Sequence, residues 1–257
     1  MVVRPAGLAS LVALAACPTF DGHRCAGAPD SCGAGGQCEP DGLCSFADSA
    51  CPSGRAYGGE VAGDVAGQCT PNPCGDRQLL WRDDFDEPGD VPRFHADPPT
   101  VGAISEGDGL LSITVGVSNG DGGEYHTASM LDLRGGAIVA EVRTLPPGTK
   151  FFSYISLSIA GHSVDLWHTM TSSPRLVANV DGADVAQRPW DGTERFWRLS
   201  ERAGTLSWES SADGLIWQVV HSRAAPFDLS QVRATLKAWS EGDGGTVSYE
   251  SFTVCGP

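Results

Sequence analysis

The chain has 257 residues, enough for one sizeable domain and a small one. Its 17 Lys and Arg stand against 32 Asp and Glu, giving a formal net charge of −15. A field of that sign repels phosphate backbones and gains nothing from anionic lipid headgroups, so nucleic acid is excluded as a partner and charge does not bring the chain to a membrane.

Residues 1–16, MVVRPAGLASLVALAA, place Arg4 before an apolar stretch from Ala6 to Ala16. This reads as a signal peptide, too short to span the roughly 20 apolar residues of a bilayer crossing. The string Leu14-Ala15-Ala16-Cys17 closes it. It resembles the lipobox of bacterial lipoproteins, which implies lipidation of Cys17 and removal of the residues before it. An ordinary signal peptide cut after the small-x-small site Ala13-Leu14-Ala15 is the plainer alternative. Pro18, and not Asp, follows the Cys, and in such lipoproteins this implies the outer membrane or cell surface. The expected location is therefore extracytoplasmic, with the membrane reached through the lipid anchor alone. Loss of Arg4 would leave the mature chain at −16.

Residues 17–77 are rich in Cys, Gly and Asp and poor in large apolar groups. Such a segment cannot fold on core packing and needs covalent staples. Nine Cys occur in the chain, at 17, 25, 32, 38, 44, 51, 69, 74 and 255. With Cys17 set aside eight remain, an even number that in a secreted chain reads as up to four disulfides. The spacings lack the tight pairs of a zinc ribbon. Six cysteines allow fifteen connectivities. The pairing favoured here is Cys25–Cys38, Cys32–Cys44 and Cys51–Cys69, with Cys74–Cys255 joining the two ends of the larger segment, residues 78–257. The Cys-rich segment resembles the leader modules of bacterial surface lipoproteins, and is expected to act as a stalk or, second, as a recognition knob.

Residues 78–257 change character. Apolar residues alternate in short runs at 110–115, 137–142, 152–159, 163–170, 175–180, 196–201, 205–210, 216–222, 233–239 and 246–254. Period-two runs at this density predict an all-β sandwich. The Asp213-Gly214 pair predicts a hairpin turn between two of these runs.

Three segments, in order, resemble the concanavalin A-like jelly roll, and within it the family 16 glycoside hydrolases. They are Leu79-Leu80-Trp81-Arg82-Asp83-Asp84-Phe85-Asp86, the stretch from Gly136 to Gly148 (GAIVAEVRTLPPG), and Tyr249-Glu250-Ser251-Phe252-Thr253-Val254. The resemblance implies a jelly-roll sandwich with one concave, sugar-binding sheet. It also implies a structural calcium, with Asp84 and Glu250 at the metal-binding places. The catalytic motif of that family, Glu-x-Asp-x-(x)-Glu, does not recur. Its equivalent is Ser163-Val164-Asp165-Leu166-Trp167-His168, where only Asp165 is kept. The acid/base place falls on Trp167 in a regular strand and on His168 if a bulge intervenes. Retaining hydrolysis needs two carboxyl groups about 5–5.5 Å apart, so no catalytic residue is assigned.

Alternation puts Ile155, Leu157, Ile159, Val164 and Leu166 inward, and Phe152, Tyr154, Ser156, Ser158, Ser163, Asp165 and Trp167 outward. A flat ring stacks on a sugar face while a carboxylate accepts from its hydroxyls. The expected ligand-binding residues are Tyr154, Asp165, Trp167, His168 and Trp190. The remaining tryptophans, Trp81, Trp197, Trp208, Trp217 and Trp239, are expected in the core. No phosphate loop, His-Glu-x-x-His or dinucleotide fingerprint occurs. The expectation is a non-catalytic lipoprotein that binds a glycan or a cell-surface protein. The alternatives are a glycan-active hydrolase with displaced catalytic groups and a structural lipoprotein.

Overall fold

The computed structural model describes residues 25, 32–39, 42–51, 53–59, 65–85, 94–117, 120–147, 150–170 and 173–257. Residues 1–16, expected to be a signal peptide, and Cys17 with its lipobox-like string lie outside the described residues.

The Cys-rich region forms a small antiparallel sheet of β1 (Gly36–Cys38), β2 (Cys44–Ala47) and β3 (Arg55–Tyr57). Disulfides Cys32–Cys44 and Cys51–Cys69 brace it, as the pairing expected. Cys25 is also disulfide-bonded; the Cys38 side chain, its expected partner, lies outside the described residues. A third described disulfide, Cys74–Cys255, ties the start of the large domain to its last strand across 181 residues of chain.

The rest is strands and turns. In chain order they are β4 (Leu79–Asp83), β5 (Phe94–Asp97), β6 (Gly102–Gly107), β7 (Leu110–Val115) and β8 (Asp121–Thr127). Next come β9 (Ala137–Thr144), β10 (Phe151–Ile159), β11 (His162–Thr169), β12 (Arg175–Val180) and β13 (Ala183–Pro189). The chain ends with β14 (Phe196–Arg202), β15 (Thr205–Ser211), β16 (Gln218–Ala224), β17 (Arg233–Ser240) and β18 (Gly245–Cys255). Seven of these make one sheet in the order β13-β12-β11-β10-β17-β8-β5. Eight make the other, β16-β15-β14-β9-β18-β7-β6, with β4 paired to β18. All pairings within both sheets are antiparallel. The two sheets face each other as a sandwich over one core that includes Ile155, Leu166, Leu236, Trp197, Trp208, Tyr249 and Phe252.

Two-residue turns set the registers. Ala160-Gly161 joins β10 to β11 and Asp181-Gly182 joins β12 to β13, and all four residues have positive φ. That is the signature of the type I′ hairpin turn, whose twist matches the strands it connects. A two-residue turn leaves one register, so Ile159 meets His162 and each later pair is fixed in turn.

The Cys-rich module is not a stalk standing clear of the sandwich. It lies against the outer face of the eight-stranded sheet. The Arg55 guanidinium of β3 donates to the Asp84 carboxylate, just past β4, at 3.1 Å. A cavity of about 210 Å³ remains at the seam, between Tyr57, Pro71 and Pro73 of the module and Phe196, Arg82 and Glu141 of the sandwich. That is below the ~300–1,000 Å³ of ordinary ligand pockets, so it reads as a packing gap. The connecting segment is fastened too: Arg77 donates to the carbonyls of Gly135 and Glu201 at 2.9 and 3.2 Å.

Candidate functional site

The seven-stranded sheet presents two adjacent rows of outward side chains. Along one, register places Gln187, Val177, Trp167, Tyr154, Lys237, Glu124 and Asp97 side by side across all seven strands. The neighbouring row runs Asn179, Asp165, Ser156, Thr235, His126 and His95 from β12 to β5. At the centre the Tyr154 and Trp167 rings stack at 5.7 Å with planes 24° apart. Phe152 meets Trp167 edge-on at 5.2 Å. The Trp239 ring joins them from β17, opposite Phe152, with the Lys237 ammonium 5.6 Å from its centre. These aromatics form a strip whose edges are polar.

Asp165 stands beside that strip, directly opposite Ser156. The Ser163 hydroxyl donates to its carboxylate at 3.2 Å. Burial raises its pKa, and hydrogen bonds from Ser156 and Ser163, with the Lys237 charge, oppose the rise. The core holds these strands from beneath. The Trp208 indole donates to the Asp165 carbonyl at 2.9 Å. The Tyr249 hydroxyl donates to the carbonyls of Tyr154 and Lys237 at 3.1 and 3.3 Å. The opposite sheet therefore anchors the strands that carry the aromatic strip. A depression of about 300 Å³ adjoins it at the β10–β11 turn, lined by Ser158, His162, Ser163 and Arg233 among others.

Two expected members do not share this face. His168 is in phase with Val164 and Leu166, and the ladders on both sides of β11 run unbroken through it. With no bulge its ring turns inward, 2% exposed, between Trp190 at 4.5 Å and Trp197 at 6.5 Å. Burial pushes its pKa down to about 4, so the ring is neutral. Trp190 is half-buried against the same core rather than at the rim, its indole donating to the Glu194 carbonyl at 3.4 Å. The unbroken register settles which residue holds the third outward place of the strand: Ser163, Asp165 and Trp167 alternate outward, one carboxylate among them. Trp239, expected in the core, also faces outward. That place was legible in the run Ala234-Thr235-Leu236-Lys237-Ala238-Trp239, where the small and aliphatic residues take the even positions.

Asp84 and Glu250, expected to hold calcium, do not fit the ion. Asp84 accepts from Arg82 at 2.5 Å and from Arg55. Glu250 sits at a bulge of β18 and pairs with Arg143 at 3.1 Å and with Arg195. Arg195 also reaches Glu141 at 2.8 Å, and Arg82 approaches Glu141 at 4.0 Å. The result is a chain of alternating charges from Arg55 through Asp84, Arg82, Glu141 and Arg195 to Glu250. Cations already neutralise the oxygens that a calcium would need. Burial, and then the neighbouring Glu250 carboxylate, raise the pKa of Glu141.

No protein-family description matches the chain, and no curated protein does. Solved structures do match, by fold. One, from work on endo-acting O-glycanases that gut bacteria use to initiate mucin breakdown, has a TM-score of 0.57 at 14% identity, over 69% of this chain and 99% of that one. A prokaryotic β-1,3-1,4-glucanase (lichenase) from a mouse hindgut metagenome gives 0.50 at 14%, over 69% and 98%. An immunostimulatory antigen and pseudo β-1,3-glucanase of Mycobacterium tuberculosis gives 0.51 at 14%, over 70% and 99%. At such identities the likeness is one of fold. The large domain is a jelly-roll sandwich of the kind found in family 16 glucanases.

Proposed function

We propose that the protein is a membrane-anchored extracytoplasmic lipoprotein that binds a glycan on the outer face of its seven-stranded sheet and does not cleave it. One observation carries this reading. The strand that the sequence resemblance sets at the place of that family's catalytic strand presents Ser163, Asp165 and Trp167 outward in an unbroken register, beside a stacked aromatic strip. Stacked rings next to a carboxylate fit a sugar's apolar face and hydroxyls. A single carboxylate on that strand cannot serve as both nucleophile and acid/base.

Incubation with β-glucans and mucin O-glycans, followed by mass analysis of the products, tests the absence of cleavage. No shortened glycan is expected. Products that disappear in Asp165→Ala would replace this reading with a hydrolase. The anchor has its own test: mass spectrometry of the protein from bacterial membranes should find lipid on Cys17, and an unmodified thiol there refutes it.

A further inference from the structure

The edge of the same sheet carries a group of polar side chains that glycan stacking does not use. β5 and β8 pair with His95 opposite His126 and Asp97 opposite Glu124. Tyr125, between Glu124 and His126, is buried in the core. Alternation therefore turns Glu124 and His126 outward together, on the face they share with Asp97. One carboxylate oxygen each from Asp97 and Glu124 and a ring nitrogen of His126 lie within 4.8 Å of one another. His126 is only 6% exposed, and its Nδ1 has no hydrogen-bond partner. That nitrogen faces Asp97 at 3.6 Å, too long for a hydrogen bond. Buried polar atoms are rarely left so, because an unmet one has given up its hydration for nothing.

We propose that Asp97, Glu124 and His126 form a binding site for a divalent transition-metal ion of the zinc class. Imidazole with carboxylates suits zinc and its neighbours, whereas calcium and magnesium take oxygen ligands. Bonds of about 2.0–2.2 Å around a tetrahedral ion put ligand atoms about 3.5 Å apart. The required contraction falls on Asp97, whose side chain is 72% exposed and free to move. His95 stands on the same face, its ring 5.9 Å from that of His126, placed to add a fourth ligand. The Lys237 ammonium holds one Glu124 oxygen at 2.6 Å, leaving the second for the ion.

Titration of the full chain, disulfides intact, with Co²⁺ tests the site. One equivalent should develop a visible d–d absorption band that Zn²⁺ removes. Asp97→Asn and His126→Ala should each weaken Co²⁺ binding by at least ~10-fold. His162→Ala, whose ring pairs with Asp181 on an exposed turn, should bind as the parent does. Asp97 is exposed, so Asp97→Asn keeps the test valid even if His126→Ala fails to fold. Absence of the band, Co²⁺ affinity unchanged in Asp97→Asn, or a band lost in His162→Ala overturns the proposal.

Discussion

The two outer faces of the sandwich come from the same strand alternation and end in opposite states. On the eight-stranded sheet the Cys-rich module covers the part of the face around Arg82 and Glu141, 10% and 3% exposed, where arginines and carboxylates run in series, while Thr114 and Thr246 of the same face stay exposed. The face of the seven-stranded sheet carries stacked rings, with half-buried Tyr154, Trp167 and Trp239, and polar groups at its margins. A charge chain suits a surface that is permanently closed, because each ion keeps its partner. A stacked aromatic strip suits a surface that exchanges one apolar partner for another. On the proposed reading the closed region serves architecture and the aromatic face serves binding.

Three perturbations set the faces apart. The largest effect is expected from Arg82→Ala. Burial alone would depress the Arg82 guanidinium, yet Asp84, Glu39 and Glu141 hold its pKa above the ordinary value. Removing that charge leaves buried carboxylates unpaired, and urea unfolding should show a loss of about 3–5 kcal/mol. A second effect comes from beneath the aromatic face. His168 titrates near 4 when folded against 6.5 ordinarily. Its folded pKa is depressed, so the unfolded chain binds the extra proton between these values, and stability falls as pH drops from about 6.5 to 4. The loss approaches about 3 kcal/mol. The raised carboxylates, Glu39, Glu141 and Asp165 among them, act with the opposite sign as pH falls. The comparison is therefore between the parent and His168→Gln, which should lose that part of the pH slope in denaturant titrations. The smallest effect concerns calcium: with arginines on Asp84 and Glu250, added Ca²⁺ should leave the melting temperature unchanged, and a clear rise would restore the metal reading.

Much of this was legible in the sequence, and the gaps have physical causes. The expected run at 175–180 is β12, and the other nine runs match their strands to within a few residues, because these strands bury one face against the core. β5, β6 and β13 lie at sheet edges, where one flank and much of the side-chain surface meet solvent, and their alternation is correspondingly weak. β8, Asp121-Gly-Gly-Glu-Tyr-His-Thr127, shows no alternating apolar run; its neighbour β17 and the inward Tyr125 make it a strand. The stacked pair Tyr154–Trp167 followed from counting in twos, and so did Asp165. His168 was misjudged because a bulge could not be excluded from composition, whereas the Ala160-Gly161 turn fixes the register. The charge chain joins residues from 55 to 250 and has no local signature.

The central claim is that binding belongs to the aromatic face and not to the covered one. Glycan-array binding by the parent, Trp167→Ala and Trp217→Ala measures it most directly, since Trp217 lies on the opposite face with Arg198 3.8 Å from its ring centre. Loss of a stacked ring is worth about 0.5–1.5 kcal/mol, up to about tenfold in affinity. Glycan binding is expected to weaken by that amount in Trp167→Ala and to stay unchanged in Trp217→Ala. Binding indifferent to Trp167, or no binding by the parent to any glycan, would contradict it.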